Sequence, residues 1–183
     1  MSKHNYWKEW RQVTFSIADR RELIEKLDRN RNALLELISH LSHQESETPW
    51  KEGDRSPKGQ ILHLVEAEHT YVSIWAKLSR DEIEPDLSTI TNTFSKALGE
   101  RDPHTLSLKD LIDMLHGQRI STYKFIAETA DEEMNLVGRN TPFGNLSVHQ
   151  FLKSLYRHDQ MHEDEIKGIE SSYIIANQDG QQI

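Results

Sequence analysis

The chain has 183 residues, with 22 Lys and Arg against 30 Asp and Glu, for a formal net charge of -8. That length is one ordinary domain, and that charge lacks the basic footprint of a nucleic-acid binder. The Cys count is 0, which excludes disulfides, cysteine nucleophiles, thiolate metal sites and iron–sulfur clusters.

The start, MSKHNYWKEW, lacks the apolar core of a signal peptide, and no apolar run approaches the roughly 18–20 residues of a spanning helix. The expectation is a cytoplasmic protein with no membrane partner. The 8 Gly and 5 Pro cluster between long stretches of helical apolar spacing. The first predicted helix covers residues 16–41, where Ile17, Leu23, Ile24, Leu27, Leu34, Leu37, Ile38 and Leu41 recur mostly at three and four. A polar loop with one conspicuous aromatic, Trp50, follows. The second helix begins at Ser56-Pro57, a capping residue followed by a proline suited to the first helical position, and ends about Arg80.

A long connection with Pro85 and Pro103 reads as a crossover with room for a short helical piece. The third helix opens at Ser107, with Asp110 completing a capping box and Leu106 able to staple onto Leu111, and runs to about Asp131. GRNTPFGN reads as a breaker. The fourth helix starts at Ser147, with Gln150 in its capping box and Leu146 facing Phe151, and is expected to pass Ile169. No segment shows sustained period-two alternation, so no strand is predicted. The fold class is all-α: a single four-helix bundle domain over 1–183 with a long central crossover, a core over about 16–170 and a fraying tail at 171–183.

The chain holds 10 His, and without cysteine any tight transition-metal site must use histidine and carboxylates. On a wheel of about 100° per residue, the apolar stripe of the fourth helix centres at about 340° when Val148 is at zero. His158 then falls at about 280° and His162 at about 320°, inside or at the edge of that stripe. Unpartnered burial would cost about 1–3 kcal/mol for each ring, whereas side chains four apart sit on one face and suit two ligands of one ion. The plainer reading is a pair of hydrogen-bonded core histidines. Asp159 follows His158, so this is not an H-E-x-x-H motif.

A third ligand must come from elsewhere, and the wheel places both His63 and His69 at the borders of the second helix's apolar arc without choosing between them. His4, His40, His43, His104, His116 and His149 read as surface residues. Glu66 and His69 form a Glu-x-x-His pair of the kind used by di-iron bundles, but only Asp159 and His162 offer a second pair at that spacing.

The string YRHDQMHEDEI, residues 156–166, resembles the last-helix signature of the DinB/YfiT-like metalloenzyme family. There two histidines four apart are followed by a short polar stretch and an aliphatic residue, here Ile166. PWKEGDRSPKGQILHLVEAE, residues 49–68, resembles the start of that family's second helix, where a Trp precedes a capped helix with an early Leu-His-Leu. The resemblance implies the same four-helix layout and chooses His63 to join His158 and His162 as ligands of a divalent ion, zinc or nickel. The acidic run Glu163, Asp164 and Glu165 departs from the family pattern and reads either as solvated or as tuning the mouth of the site.

Three imidazoles leave an open position for water or substrate, and such an ion lowers the pKa of a bound nucleophile or polarises a carbonyl. Asp159 is a candidate for fixing an imidazole N–H. The resemblance implies a metal-dependent enzyme acting on a small-molecule substrate, first a thiol S-transferase using a low-molecular-weight thiol, alternatively a hydrolase. No residue is assigned as general acid or base. The rival reading is a non-enzymatic, stress-associated bundle whose structural ion is completed by His69, Glu66 or Asp159. Similar proteins dimerise through helix faces, and apolar residues on helices one and three suit a homodimer.

Overall fold

The computed structural model describes residues 15–88, 90 and 101–171. Its elements in chain order are α1 (Ile17–Ser39), a short α2 (His43–Glu47), α3 (Pro57–Glu68), a π-helical segment (His69–Ala76) and α4 (Lys77–Asp81). A 3-10 turn (Pro103–Thr105), α5 (Leu108–Glu128), a second 3-10 turn (Glu133–Asn135), the strands β1 (Val137–Thr141) and β2 (Gly144–Ser147), and α6 (Val148–Ile166) follow. α3, the π segment and α4 form one continuous rod. This rod and α1, α5 and α6 are the four long members of the bundle, with α1 packed along α6 and α3 along α5.

Local chemistry sets the helix starts. Ser16 with Asp19, Ser107 with Asp110 and Ser147 with Gln150 each form a complete capping box, satisfying backbone donors that a helix start leaves unpaired. Ser56 caps α3 by accepting from the Gly59 amide, and Pro57 takes the first turn. Leu106 and Leu111 share one apolar cluster, Leu146 and Phe151 the other, as the staples require.

Two sequence expectations are corrected. GRNTPFGN is a small antiparallel hairpin, with Val137 opposite Ser147 and an irregularity between Gly138 and Thr141. Its strands are too short, and its Gly and Asn content too high, to show alternation. Gly138 is required by close approach, since a Cβ there would lie 2.3 Å from Ser79 Oγ.

α6 does not pass Ile169. It stops at Ile166, because Gly168 turns left-handed at φ 72. The Gly168 amide then donates to the Glu165 carbonyl and the Ile169 amide to that of Asp164, the pattern of a Schellman stop. Ile169 is therefore 55% exposed rather than part of the core stripe. The expected helical piece in the crossover falls partly on residues 89 and 91–100, and most of the expected tail on 172–183, outside the described residues.

The core has two apolar clusters. One contains Leu27, Tyr71, Phe125, Phe151 and Leu155, the other Leu34, Ile38, Ile61, Leu64, Leu111 and Leu115. Between them lie four buried charges, one from each long member: Arg31, Glu68, Arg119 and Asp159. Arg31 donates to Glu68 at 2.7 Å and to Asp159 at 2.8 Å; Arg119 donates to Glu68 at 2.8 Å and to Asp159 at 2.9 Å. Further donors are used up on the Leu115 and Leu27 carbonyls, and the Thr122 hydroxyl donates to Glu68. Burial alone would raise the Glu68 carboxyl, but the two guanidiniums outweigh it and hold it at about 2.

Removing one member leaves an uncompensated buried charge. Arg119→Met is therefore expected to lose about 3–5 kcal/mol in urea unfolding, while replacing all four by apolar residues of similar size costs far less. A single variant as stable as the parent would contradict the closed network.

Candidate metal centre

α6 presents His158 and His162 one turn apart, and the middle of α3 presents His63 toward them. His63 meets each of the other two rings edge to face, while His158 and His162 are tilted at 54° to one another. The centroids of His63 and His158 are 5.0 Å apart, those of His63 and His162 5.2 Å, and those of His158 and His162 4.6 Å. One ring nitrogen from each lies within 4.8 Å of the others, so the trio could hold a metal ion, and it forms the one such group found among the described residues. His158 and His162 are 7% and 2% exposed, and His63 is half-buried.

The protonation chemistry suits that use. Burial, His162 and Arg55 push His63 down to about 4 from the ordinary 6.5. Burial, helped by the positive fields of His162 and His63, holds His158 well below its usual value. These two imidazoles are thus neutral at neutral pH, the form a metal requires. Nδ1 of His162 lies 2.7 Å from the Glu165 carboxylate. A carboxylate only accepts, so the His162 Nδ1 is the donor to Glu165, and its Nε2 faces His158 Nε2, 3.0 Å away. The hydrogen bond to His162 and burial act in opposite senses on Glu165, and the net effect lowers its pKa.

Glu165 thus takes the orienting role that sequence reasoning gave to Asp159. Asp159 is instead directed into the arginines from the neighbouring side of α6. Glu163 is paired with Lys167. His69 stands apart from the trio, half-buried on the π segment. His149 is not a surface residue: it is half-buried, packs against Phe15 at 4.6 Å, and is pushed by burial to about 4. His40, His43, His104 and His116 are exposed, and His4 lies outside the described residues.

Sequence reasoning also missed Tyr71. Its ring lies nearly parallel to that of His158, with centroids 6.1 Å apart, and burial raises its hydroxyl to about 12. It belongs to the π segment, whose wider turns no apolar spacing announces. Trp50 sits at the rim of the bundle rather than in its core. It is 61% exposed and lies on Gly168, where a Cβ would come within 2.1 Å of the indole nitrogen.

The sequence profile of the DinB superfamily matches residues 26–166. Among solved structures, TT2238, described as a four-helix bundle protein, is 20% identical over 81% of this chain and 98% of its own, with a TM-score of 0.61. YfiT from Bacillus subtilis, described as a probable metal-dependent hydrolase with an unusual four-helix bundle topology, is 17% identical over 86% of this chain and 89% of its own, with a TM-score of 0.68. A search of curated proteins gives no match. Among the described residues, no helix is long and apolar enough to cross a membrane.

The histidine shifts have a definite consequence for stability. His63 and His149 have folded values of about 4, below the ordinary 6.5. Between those values the unfolded chain binds protons that the folded chain refuses. Their stabilising contribution is complete above about 6.5 and lost as pH falls toward about 4. Thermal melts of chelator-treated protein should therefore show Tm falling steadily across that window. A Tm that is flat or rises on acidification would contradict the burial of these rings.

Proposed function

The chain belongs to the DinB superfamily, and from that premise we propose that it is a metal-dependent enzyme whose ion, zinc or nickel, is held by His63, His158 and His162. The observation that carries this reading is the convergence of three imidazoles, two of them suppressed from protonation, with no fourth protein donor in the cluster among the described residues. Three nitrogen donors with a free position are the donor set of a catalytic zinc site, while structural sites close with four protein ligands. Asp159 is committed to the arginines, and neither Glu66 nor His69 joins the cluster. That speaks against the structural-ion alternative.

A bound divalent ion would supply Lewis acidity and a nucleophile of lowered pKa. The protein's own contribution is orientation and desolvation. Glu165 fixes the ring of His162 and its proton, Tyr71 backs His158, and the apolar wall around Trp75, Phe143 and Phe151 keeps water from that side. The reaction we propose first is S-transfer from a low-molecular-weight thiol to a small electrophile, the activity the sequence resemblance implies. Hydrolysis is the second reading, supported by the description of YfiT as a probable metal-dependent hydrolase.

Elemental analysis of purified protein beside His63→Ala, His158→Ala and His69→Ala tests the centre. About one equivalent of zinc or nickel is expected in the parent and in His69→Ala, and none in the other two. Metal retained by His63→Ala and His158→Ala, or absent from the parent after reconstitution, would overturn the reading. With metal loaded, conjugation of a bimane electrophile to a small thiol, compared with ester hydrolysis, separates the two reactions.

A further inference from the structure

A cleft of about 830 Å³ opens between the α2–α3 loop and the C-terminal end of α6, a size that suits a small-molecule ligand. None of the three histidines lines it, but two of its lining residues adjoin the trio. One wall includes Glu165, whose carboxylate holds His162, and the other includes Gln60, one helical turn before His63. Trp50 and Ile169 supply exposed apolar surface, and Arg55 and Lys51 supply positive charge.

Gln60 is 4% exposed, and among the described residues its Oε1 is the buried side-chain polar atom left without a hydrogen-bond partner. Its amide nitrogen donates to the Arg55 carbonyl at 3.4 Å, so flipping the amide would place two oxygens against each other. An unpaired buried acceptor costs about 1–3 kcal/mol, and a ligand N–H or O–H in the cleft would recover it once the Gln60 amide turns toward the cleft. Arg55 is in no ion pair among the described residues, yet its charge is felt by His63, His158 and Glu165. An anionic group beside the trio would meet that guanidinium. Asp54 and Glu170 also line the cleft, and their negative charge favours a single carboxylate over a polyanion such as a polyphosphate.

We propose that this cleft is the substrate site of the metal centre and takes a small carboxylate bearing an N–H donor and an apolar side group. The carboxylate faces Arg55, the N–H donates to Gln60 Oε1, and the apolar group lies against Trp50 and Ile169. The proposal rests on the metal-centre reading above and adds the ligand class to it. Gln60 and Arg55 become the specificity-determining residues.

Calorimetric titration of zinc-loaded protein with N-acetyl-L-phenylalanine tests it, beside two analogues of that probe. In one an ester oxygen replaces the N–H; the other is the methyl ester, which lacks the carboxylate. The parent should bind N-acetylphenylalanine about tenfold more tightly than the analogue without the N–H. Gln60→Leu should abolish that difference, and Arg55→Gln should weaken the acid while leaving the methyl ester unchanged. Zinc content is measured on every sample. No binding by zinc-loaded parent, equal binding of the two acids, or discrimination that persists in Gln60→Leu would overturn the proposal with the metal reading intact. If no zinc is retained, the metal reading falls, and the same titrations on metal-free protein decide the cleft on their own terms.

Discussion

Four buried charges at the middle of the bundle constrain everything around them. Arg31, Glu68, Arg119 and Asp159 come one from each long member, and each arginine bonds both carboxylates. Taking such charges from water costs several kcal/mol for each ion, recovered only when the geometry is good and the remaining donors are used. Here they are used: the spare guanidinium donors reach the Leu115 and Leu27 carbonyls, and Thr122 completes Glu68. Rotating any one helix about its axis would break two charge-assisted bonds at once. Apolar packing alone tolerates such slippage far better, so the tetrad sets the rotation of the helices more sharply than the leucines above and below it.

That rotation decides where the histidines point. His158 precedes Asp159 directly, and with Asp159 drawn toward the arginines, the adjacent side of α6, carrying His158 and His162, turns to His63. Glu68 sits five residues after His63 and anchors the same rod. The balanced pairing also matters electrostatically. Two carboxylates offset two guanidiniums, and Glu165 on the outer side supplies the anion that orients His162. The site therefore rests on two separate sets of acids, one that fixes a helix and one that fixes a ring.

The open side of the site is built differently from the closed side. Toward the interior, Tyr71, Trp75, Phe143 and Phe151 form an aromatic wall on and around the π segment. Toward solvent, the α2–α3 loop meets the end of α6, where Gly168 lets the Trp50 ring lie directly on the backbone. A side chain at residue 168 would be strained by the left-handed φ and would displace the indole. The same glycine thus ends the helix and shapes the rim of the cleft.

Much of the bundle was legible from periodicity and capping, because those signals are local. Ser16, Ser56, Ser107 and Ser147 start helices through bonds to residues three positions on, and the apolar stripes mark each buried face. The pairing of His158 with His162 was equally local, since residues four apart share a face. The charges inside the stripes also leave a trace in the sequence, but one that apolar periodicity passes over. Arg31 lies between Leu27 and Leu34, and Arg119 follows Leu115 by one turn. What they pair with is separated from them by 37 to 128 residues, and no local rule connects positions so far apart.

The sequence by itself determined which segments are helical, which faces are apolar, and that two imidazoles share one of them. Its resemblance to a family pointed to His63. Only the tertiary structure decided that Glu165, not Asp159, orients a histidine, that the bundle centre is ionic, and that Gln60 and Arg55 line a cleft beside the trio. The reason is physical: local structure follows from bonds within one or two turns, whereas a site is made by side chains whose relative positions are set by helix rotation, crossing and termination.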